Sequence, residues 1–250
     1  MYEAYLEAVA ALPERIREAN QAVIPLVAAA CADSIAATRA VFLFGSGHSI
    51  LPAMDLFPRY GGYAGYVPMM DPRLMWTTVI GPGGAEEVMW QEDQEGYAAT
   101  YVVDHYPITT EDTVIVISHE GVNSAPVEVA IGAKQRGATV IALTSGAGVA
   151  TSKPIHSSGQ RLADVADLIL DNGVDPEDCQ VTIPGIPFKV GGLSTIGAMI
   201  ALHAVDVEVA ALLVKRGITV VPFASPSSPG VPVGHSEHVY SIYKTFLHSL

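Results

Sequence analysis

Four short segments gather the side chains able to do polar chemistry. They are Gly45-Ser46-Gly47-His48-Ser49, Ser118-His119-Glu120-Gly121-Val122-Asn123, Thr144-Ser145-Gly146 and Asp171-Asn172-Gly173. Each combines glycine with hydroxyl, amide, imidazole or carboxylate groups, so each offers donors and acceptors to something polar. His119 and Glu120, together with His156 and His238, also supply the N and O atoms that zinc accepts. No His-x-x-x-His pair supports a metal centre, and neither a metal nor another cofactor is expected.

The elements that must position these segments are legible in the apolar pattern. Val41–Phe44, Val114–Ile117, Thr139–Leu143 and Leu168–Leu170 run directly into the four segments. Ile218–Val221 is a fifth such run, and Tyr66–Met70 a weaker sixth. All are apolar throughout rather than alternating, which suits strands covered on both faces of a parallel sheet. Helical patterns lie between them. One covers Glu14–Thr38 with an interruption near Pro25, and one follows Ser49. A third spans Ala85–His105, with Glu86 and Glu87 at its positive end. A fourth opens at Ser124 with Pro126 in its first turn and stops at Gly137. A fifth runs from Ser194 to Arg216, and a last from His235 to Leu250 after the Pro/Ser/Gly-rich loop Pro222–Gly234.

Alternation of strand and helix predicts an α/β fold with right-handed crossovers and helices on both faces. We read one domain over residues 1–250, with N-terminal helices over about 1–38 and a C-terminal helix over about 235–250. In an open parallel sheet, ligands bind beyond the C-terminal ends of the strands, where the four segments sit.

Composition removes several alternatives. The 250 residues carry 13 Lys and Arg against 26 Asp and Glu, a formal charge of −13, and half of them are hydrophobic. A chain this apolar and this long has the material for a substantial core and is not disordered. It is too acidic to hold a phosphate backbone or an anionic membrane surface, so neither nucleic acid nor membrane is expected as a partner. Cys31 and Cys179 stand alone, without the spacing of a disulfide framework or a zinc knuckle. The N-terminus has no basic segment of the signal-peptide kind, and the apolar stretch Ala22–Ala32 is short and contains Pro25. We expect a soluble protein of the reduced cytoplasm.

Three segments together resemble the SIS (sugar isomerase) domain: Phe44–Ser49 after a strand, Ile117–Asn123, and Ala133–Thr144. His156-Ser157-Ser158-Gly159, Asp171–Gly173 and Lys189–Thr195 extend the resemblance, which runs from about Ala40 to the C-terminus and is nearest to a branch related to phosphoheptose isomerase. The resemblance implies a five-stranded parallel sheet in a three-layer, flavodoxin-like α-β-α sandwich. It implies homodimers or higher homo-oligomers whose sites are shared between subunits. It also implies a small-molecule sugar or sugar phosphate as ligand, with any phosphate held in the second loop.

One residue departs from that pattern. In relatives the second loop reads Ser-x-Ser-Gly-x-Thr or Ser-x-Ser-Gly-x-Asn, whose hydroxyls and amides cradle phosphate. Here Glu120 replaces the second serine, while Ser118, Gly121 and Asn123 are retained. A phosphate carries a charge of about −1.5 to −2. At roughly 4 Å and an effective dielectric near 20, one pair of like charges repels by about 4 kcal/mol. No lysine or arginine lies in this loop. The phosphate site is therefore expected to be lost or remodelled, and the sugar need not be phosphorylated. Glu120 can instead accept from sugar hydroxyls, pair with an amino group or act as a base.

The resemblance implies aldose–ketose isomerisation, in which a proton moves between adjacent carbons through an enediol(ate). It assigns catalysis to Asp71, Glu95 and His238, the last opening the sugar ring in a neighbouring subunit, and the departure adds Glu120 as a catalytic candidate. It assigns substrate binding to Ser46, His48, Ser49, Ser118, His119, Asn123, Ser145 and His156. Each has a plainer role open to it: a helix cap for the first loop, an Asp-Pro turn for Asp71, a solvated face for Glu120. Asp55 reads as an ion-paired helix residue, His203 as a histidine satisfied within an apolar helix, and Trp76 and Trp90 as packing residues. A lyase or etherase on the same fold, and a sugar sensor without catalysis, are the competing functions.

Overall fold

The apolar runs form a sheet because nothing in them can face water. In the computed structural model, which describes residues 1–56, 58–75 and 84–250, the strands are β1 (Val41–Gly45), β2 (Tyr66–Met69), β3 (Thr113–Ile117), β4 (Thr139–Thr144) and β5 (Leu168–Asp171). They make one five-stranded sheet in the order β2-β1-β3-β4-β5, every neighbouring pair parallel. Among the described residues the helices are α1 (Tyr2–Asn20), α2 (Val23–Ala36), α3 (Ile50–Leu56), α4 (Gly84–Glu92), α5 (Tyr97–Tyr101), α6 (Ser124–Gln135), α7 (Gly146–Val149), α8 (Leu162–Val165), α9 (Ser194–Lys215) and α10 (His235–Ser249).

Period-two alternation divides each strand between two cores. Val41, Leu43, Ile115, Ile117, Ile141 and Leu143 pack under α1, α2, α3 and α9. Phe42, Phe44, Val114, Val116, Val140 and Ala142 pack under α5, α6, α8 and α10. This is the expected three-layer sandwich. Helix α9 is long and apolar enough to cross a membrane by length and composition alone. Here one side of it packs on the sheet against α1, α2 and α3, and 44% of its apolar window is buried.

Several sequence expectations change. Ile218–Val221 is not a strand. The chain turns at Gly217 (φ +79°), and Ile218 and Val220 pack irregularly on the core beneath α9. The weaker run Tyr66–Met69 takes the fifth place instead, as an edge strand. Pro68 is tolerated there because an edge strand needs its amides on one side only. Tyr106 covers the outer edge, where its hydroxyl accepts from the Met70 amide at 2.9 Å. The first helical region breaks between α1 and α2, with a bend of 79°, rather than at Pro25. Pro25 sits in the first turn of α2, where its missing N–H costs nothing. The region Ala85–His105 is two helices and a 3₁₀ turn, parted at Gly96 (φ +85°), whose amide is taken by the Glu128 carboxylate. A two-stranded antiparallel ribbon, β6 (Cys179–Val181) with β7 (Val190–Gly192), was not legible in the sequence.

Candidate functional site

From β1 the chain leaves toward β2, and from β3 it leaves toward β4, in opposite directions along the sheet. The loops after β1 and β3 therefore part and leave a crevice at their C-terminal ends, the usual ligand position of such sheets. The first loop folds back tightly. A Cβ on Gly45 would lie 2.1 Å from the Ser49 carbonyl oxygen, so only glycine fits. The 3₁₀ turn Gly47–Ser49 that follows aims the Ser46 hydroxyl across the crevice.

What it meets is Glu92, at the C-terminal end of α4. Ser46 Oγ donates to Glu92 Oε2 at 2.7 Å, and Asn123 Nδ2, from the second loop, donates to Glu92 Oε1 at 3.3 Å and to Asp93 Oδ1 at 3.1 Å. One half-buried carboxyl thus joins both loops. Burial raises its pKa above the ordinary glutamate value, and the neighbouring charges of Asp93 and Glu120 push the same way against the Ser46 hydrogen bond. A carboxyl with a raised pKa, held by two neutral donors in a crevice, is equipped to take up and return a proton. The sequence reasoning missed Glu92. One local signal was present: an acid in the last turn of a helix opposes the macrodipole and calls for a tertiary reason.

In the second loop Ser118 Oγ accepts from the Gly121 amide at 3.1 Å, and Gly121 holds φ +67°. Glu120 is exposed and lines a pocket of about 290 Å³ with His119, Thr151, Ser152, Lys153 and Pro176. The loop itself holds no cation, but the fold brings Lys153 to it from beyond α7. His119 is turned to structure. Asn172 Oδ1 accepts from the Val174 amide, so Asn172 Nδ2 is the donor to His119 Nδ1 at 3.0 Å. The ring proton then lies on Nε2, 3.3 Å from the Pro176 carbonyl oxygen. Ser145 is 1% exposed and caps α7 while donating to the Val174 carbonyl at 2.7 Å. Ser49 faces a small hollow shared with Asn172, Ser194 and Thr195, and His48 lies exposed on the 3₁₀ turn.

The other expected residues lie elsewhere. Asp71 is buried at the tip of β2, where it accepts from the Tyr97 hydroxyl, the Arg73 amide and the Arg73 guanidinium. Burial alone would raise its pKa, but these partners outweigh it and hold the carboxyl below its ordinary value. That is an anchored Asp-Pro turn. Glu95 accepts from the Ser157 amide at 2.7 Å and from its hydroxyl. His156 Nδ1 accepts from the Ser158 amide at 3.1 Å, and Nε2 stands 3.6 Å from Glu128 and 3.9 Å from Glu95. This cluster ties residues 156–158 to α5 and α6, and neither Glu95 nor His156 bonds to Ser46, Glu92 or Asn123. His238 is exposed on α10, and its side chain makes no hydrogen bond or ion pair with a described residue. Asp55 and His203 pair with each other at 2.8 Å, beside Arg59, and His203 is part-exposed rather than buried. Trp90 is 58% exposed, and Trp76 lies outside the described residues. Among the described residues no three His, Cys, Asp or Glu side chains converge as metal ligands.

Comparison with known proteins accords with this architecture. A family model described as the SIS domain matches residues 4–145. The match includes the N-terminal helices, which precede the motifs that carried the sequence resemblance. The UPF0309 protein of Brucella ovis is 36% identical over 219 residues, spanning 88% of this chain and 85% of the relative, and that of Brucella canis is equally similar. A phosphoheptose isomerase from Francisella tularensis shares the fold with a TM-score of 0.54 at 16% identity, over 84% of this chain and 96% of that one. The chain belongs to the SIS domain family, among its UPF0309 members.

Proposed function

We propose that this protein is a sugar isomerase that interconverts aldose and ketose through an enediol(ate) in the crevice between β1 and β3. The observation that carries the reading is Glu92, raised in pKa and held between Ser46 and Asn123. The Glu92 carboxylate removes the proton from the carbon next to the sugar carbonyl and, as the carboxylic acid, returns it to the adjacent carbon, while one hydroxyl proton passes between the two enediol(ate) oxygens. Ser46 and Asn123 donate to Glu92 and Asp93 and so position the carboxyl, with His48 and Ser49 on the first loop for the sugar oxygens. Glu120 is the wall of the site toward the far end of the sugar.

The working unit in this reading is a cytoplasmic homo-oligomer. Val207 and Val214 on α9 are 70% and 62% exposed, an apolar face that a second copy would cover. His238 on α10, whose side chain makes no hydrogen bond or ion pair with a described residue, is in this reading the ring-opening group of a neighbour's crevice.

Elimination is the alternative chemistry. The side-by-side carboxylates of Glu92 and Asp93, bridged by Asn123 Nδ2, favour it, because a lyase needs an acid and a base together. Incubation with a panel of aldoses, ketoses and their acidic derivatives in deuterium oxide separates the cases. Deuterium on the carbon beside the carbonyl, with isomer formation, supports the isomerase. Release of a leaving group shifts the assignment to a lyase. Tight binding of sugars with no exchange at all leaves a sensor and sinks the proposal.

A further inference from the structure

We propose that Lys153 and Glu120 form a charge-selective anchor for a sugar bearing one negative charge, the carboxylate of a sugar acid, in preference to a sugar phosphate. The inference rests on the reading of the crevice as a sugar site and names the class of sugar.

Four observations carry it. Lys153 and Glu120 line one pocket of about 290 Å³, the size of a monosaccharide fragment, yet do not pair with each other. Neither makes a hydrogen bond or ion pair with any described residue, so two opposite charges face one cavity unspent. The second observation is that the pocket and the crevice share the second loop, where Glu120 lines the pocket and Asn123 donates to Glu92. A ligand can therefore reach both.

The third observation is that part of the loop's anion cradle is spent within the loop. The Gly121 amide donates to Ser118 Oγ at 3.1 Å. The fourth is that, among the described residues lining the pocket, no Lys or Arg stands beside Lys153. His119 is engaged by Asn172 and the Pro176 carbonyl, and Arg161, which donates to Ser152, is held by Asp164 at 2.7 Å.

One lysine and one glutamate sum to zero. A monoanion satisfies Lys153, with the Ser152 hydroxyl as a further donor and Glu120 left to accept from sugar hydroxyls. A phosphate near −2 brings a second charge with no cation to meet it and a carboxylate to repel it.

Calorimetric titration of the wild-type protein with three matched series tests this: glucose and galactose, glucuronate and galacturonate, and the two hexose 6-phosphates. At least one uronate is expected to bind more tightly than its neutral and phosphorylated partners. Lys153→Met is expected to weaken that uronate by about tenfold or more and leave the neutral sugar unchanged. Glu120→Gln is expected to strengthen the phosphates. Both side chains are exposed, so both variants should fold, which circular dichroism checks. The proposal is overturned if a 6-phosphate binds wild type best, if Lys153→Met leaves the uronate affinity intact, or if no uronate binds at millimolar concentration. Uronate binding that depends on Lys153 without deuterium exchange keeps the anchor and removes the isomerase. Exchange on sugars indifferent to Lys153 does the reverse.

Discussion

The two ends of the β1–β3 pair hold acids in opposite circumstances. At the N-terminal end, Asp112 has no exposed side-chain surface and is completely engaged. It accepts from Arg39 Nη2 at 2.8 Å, the Ala40 amide at 2.9 Å and the Thr109 amide at 2.6 Å. Asp167 repeats the device one strand over, tied to the Val140 amide at 2.8 Å and to Lys134 at 2.6 Å. At the C-terminal end, Glu92 has two neutral donors, no cation among the described residues, and the charges of Asp93 and Glu120 beside it. A matched acid staples strands together. An acid surrounded by like charge stores an unfavourable interaction that a reacting ligand can relieve.

Substitution separates the two ends most widely. Glu92→Gln should lower the rate of deuterium exchange by about 10²- to 10⁴-fold while leaving the melting temperature equal or higher, since it removes a disfavoured charge. A variant that melts much earlier would place Glu92 with Asp112 as a structural acid. Asp112→Ala should show the mirror image. It strands Arg39 and two amides, so urea unfolding should register a loss of about 3–5 kcal/mol, with exchange intact wherever the protein remains folded.

The pH dependence sharpens the contrast. As a base, Glu92 acts only when ionised, so exchange should rise with pH through a midpoint above the ordinary glutamate range. Glu120→Gln removes one repelling charge and should move that midpoint down; an unmoved midpoint would separate the pocket from the crevice electrostatically. Asp167 has the smallest expected effect. Burial alone would raise its pKa, but Lys134 and the Val140 amide outweigh it and hold it below the usual aspartate value. Its stabilisation is therefore present above the unfolded-state pKa and lost as pH falls through the depressed one. Because the pair is part-exposed, Asp167→Asn should cost about 1 kcal/mol or less at neutral pH and nothing at strongly acidic pH, as read from melting curves.

How far the sequence reached depends on the range of the forces involved. Four of the five strands and the stops at Gly137 and Gly217 were legible because apolar runs and glycine turns are local properties. Tyr66–Met69 and Ile218–Val221 were ranked in the wrong order because both are short apolar runs. What distinguishes them is the neighbour: an open sheet edge beside β1 for one, the underside of α9 for the other. Within the site, the loops carrying Ser46 and Asn123 were found because glycine and hydroxyl residues after strands are a pattern. Glu92 was passed over for Glu95, three residues on, because no pattern marks it.

By itself, then, the chain's sequence determined the α/β class, the loops that rim the crevice, and the presence of a carboxylate in the second loop. Only the tertiary structure decided what that carboxylate faces. Lys153 stands 33 residues from Glu120 in the chain yet lines the same pocket, and Glu92 comes between two loops from a helix of its own. The reason is physical: hydrophobic periodicity is written along the chain, whereas the energy of a charge depends on burial and on every other charge within a few ångströms, wherever the chain brings it from.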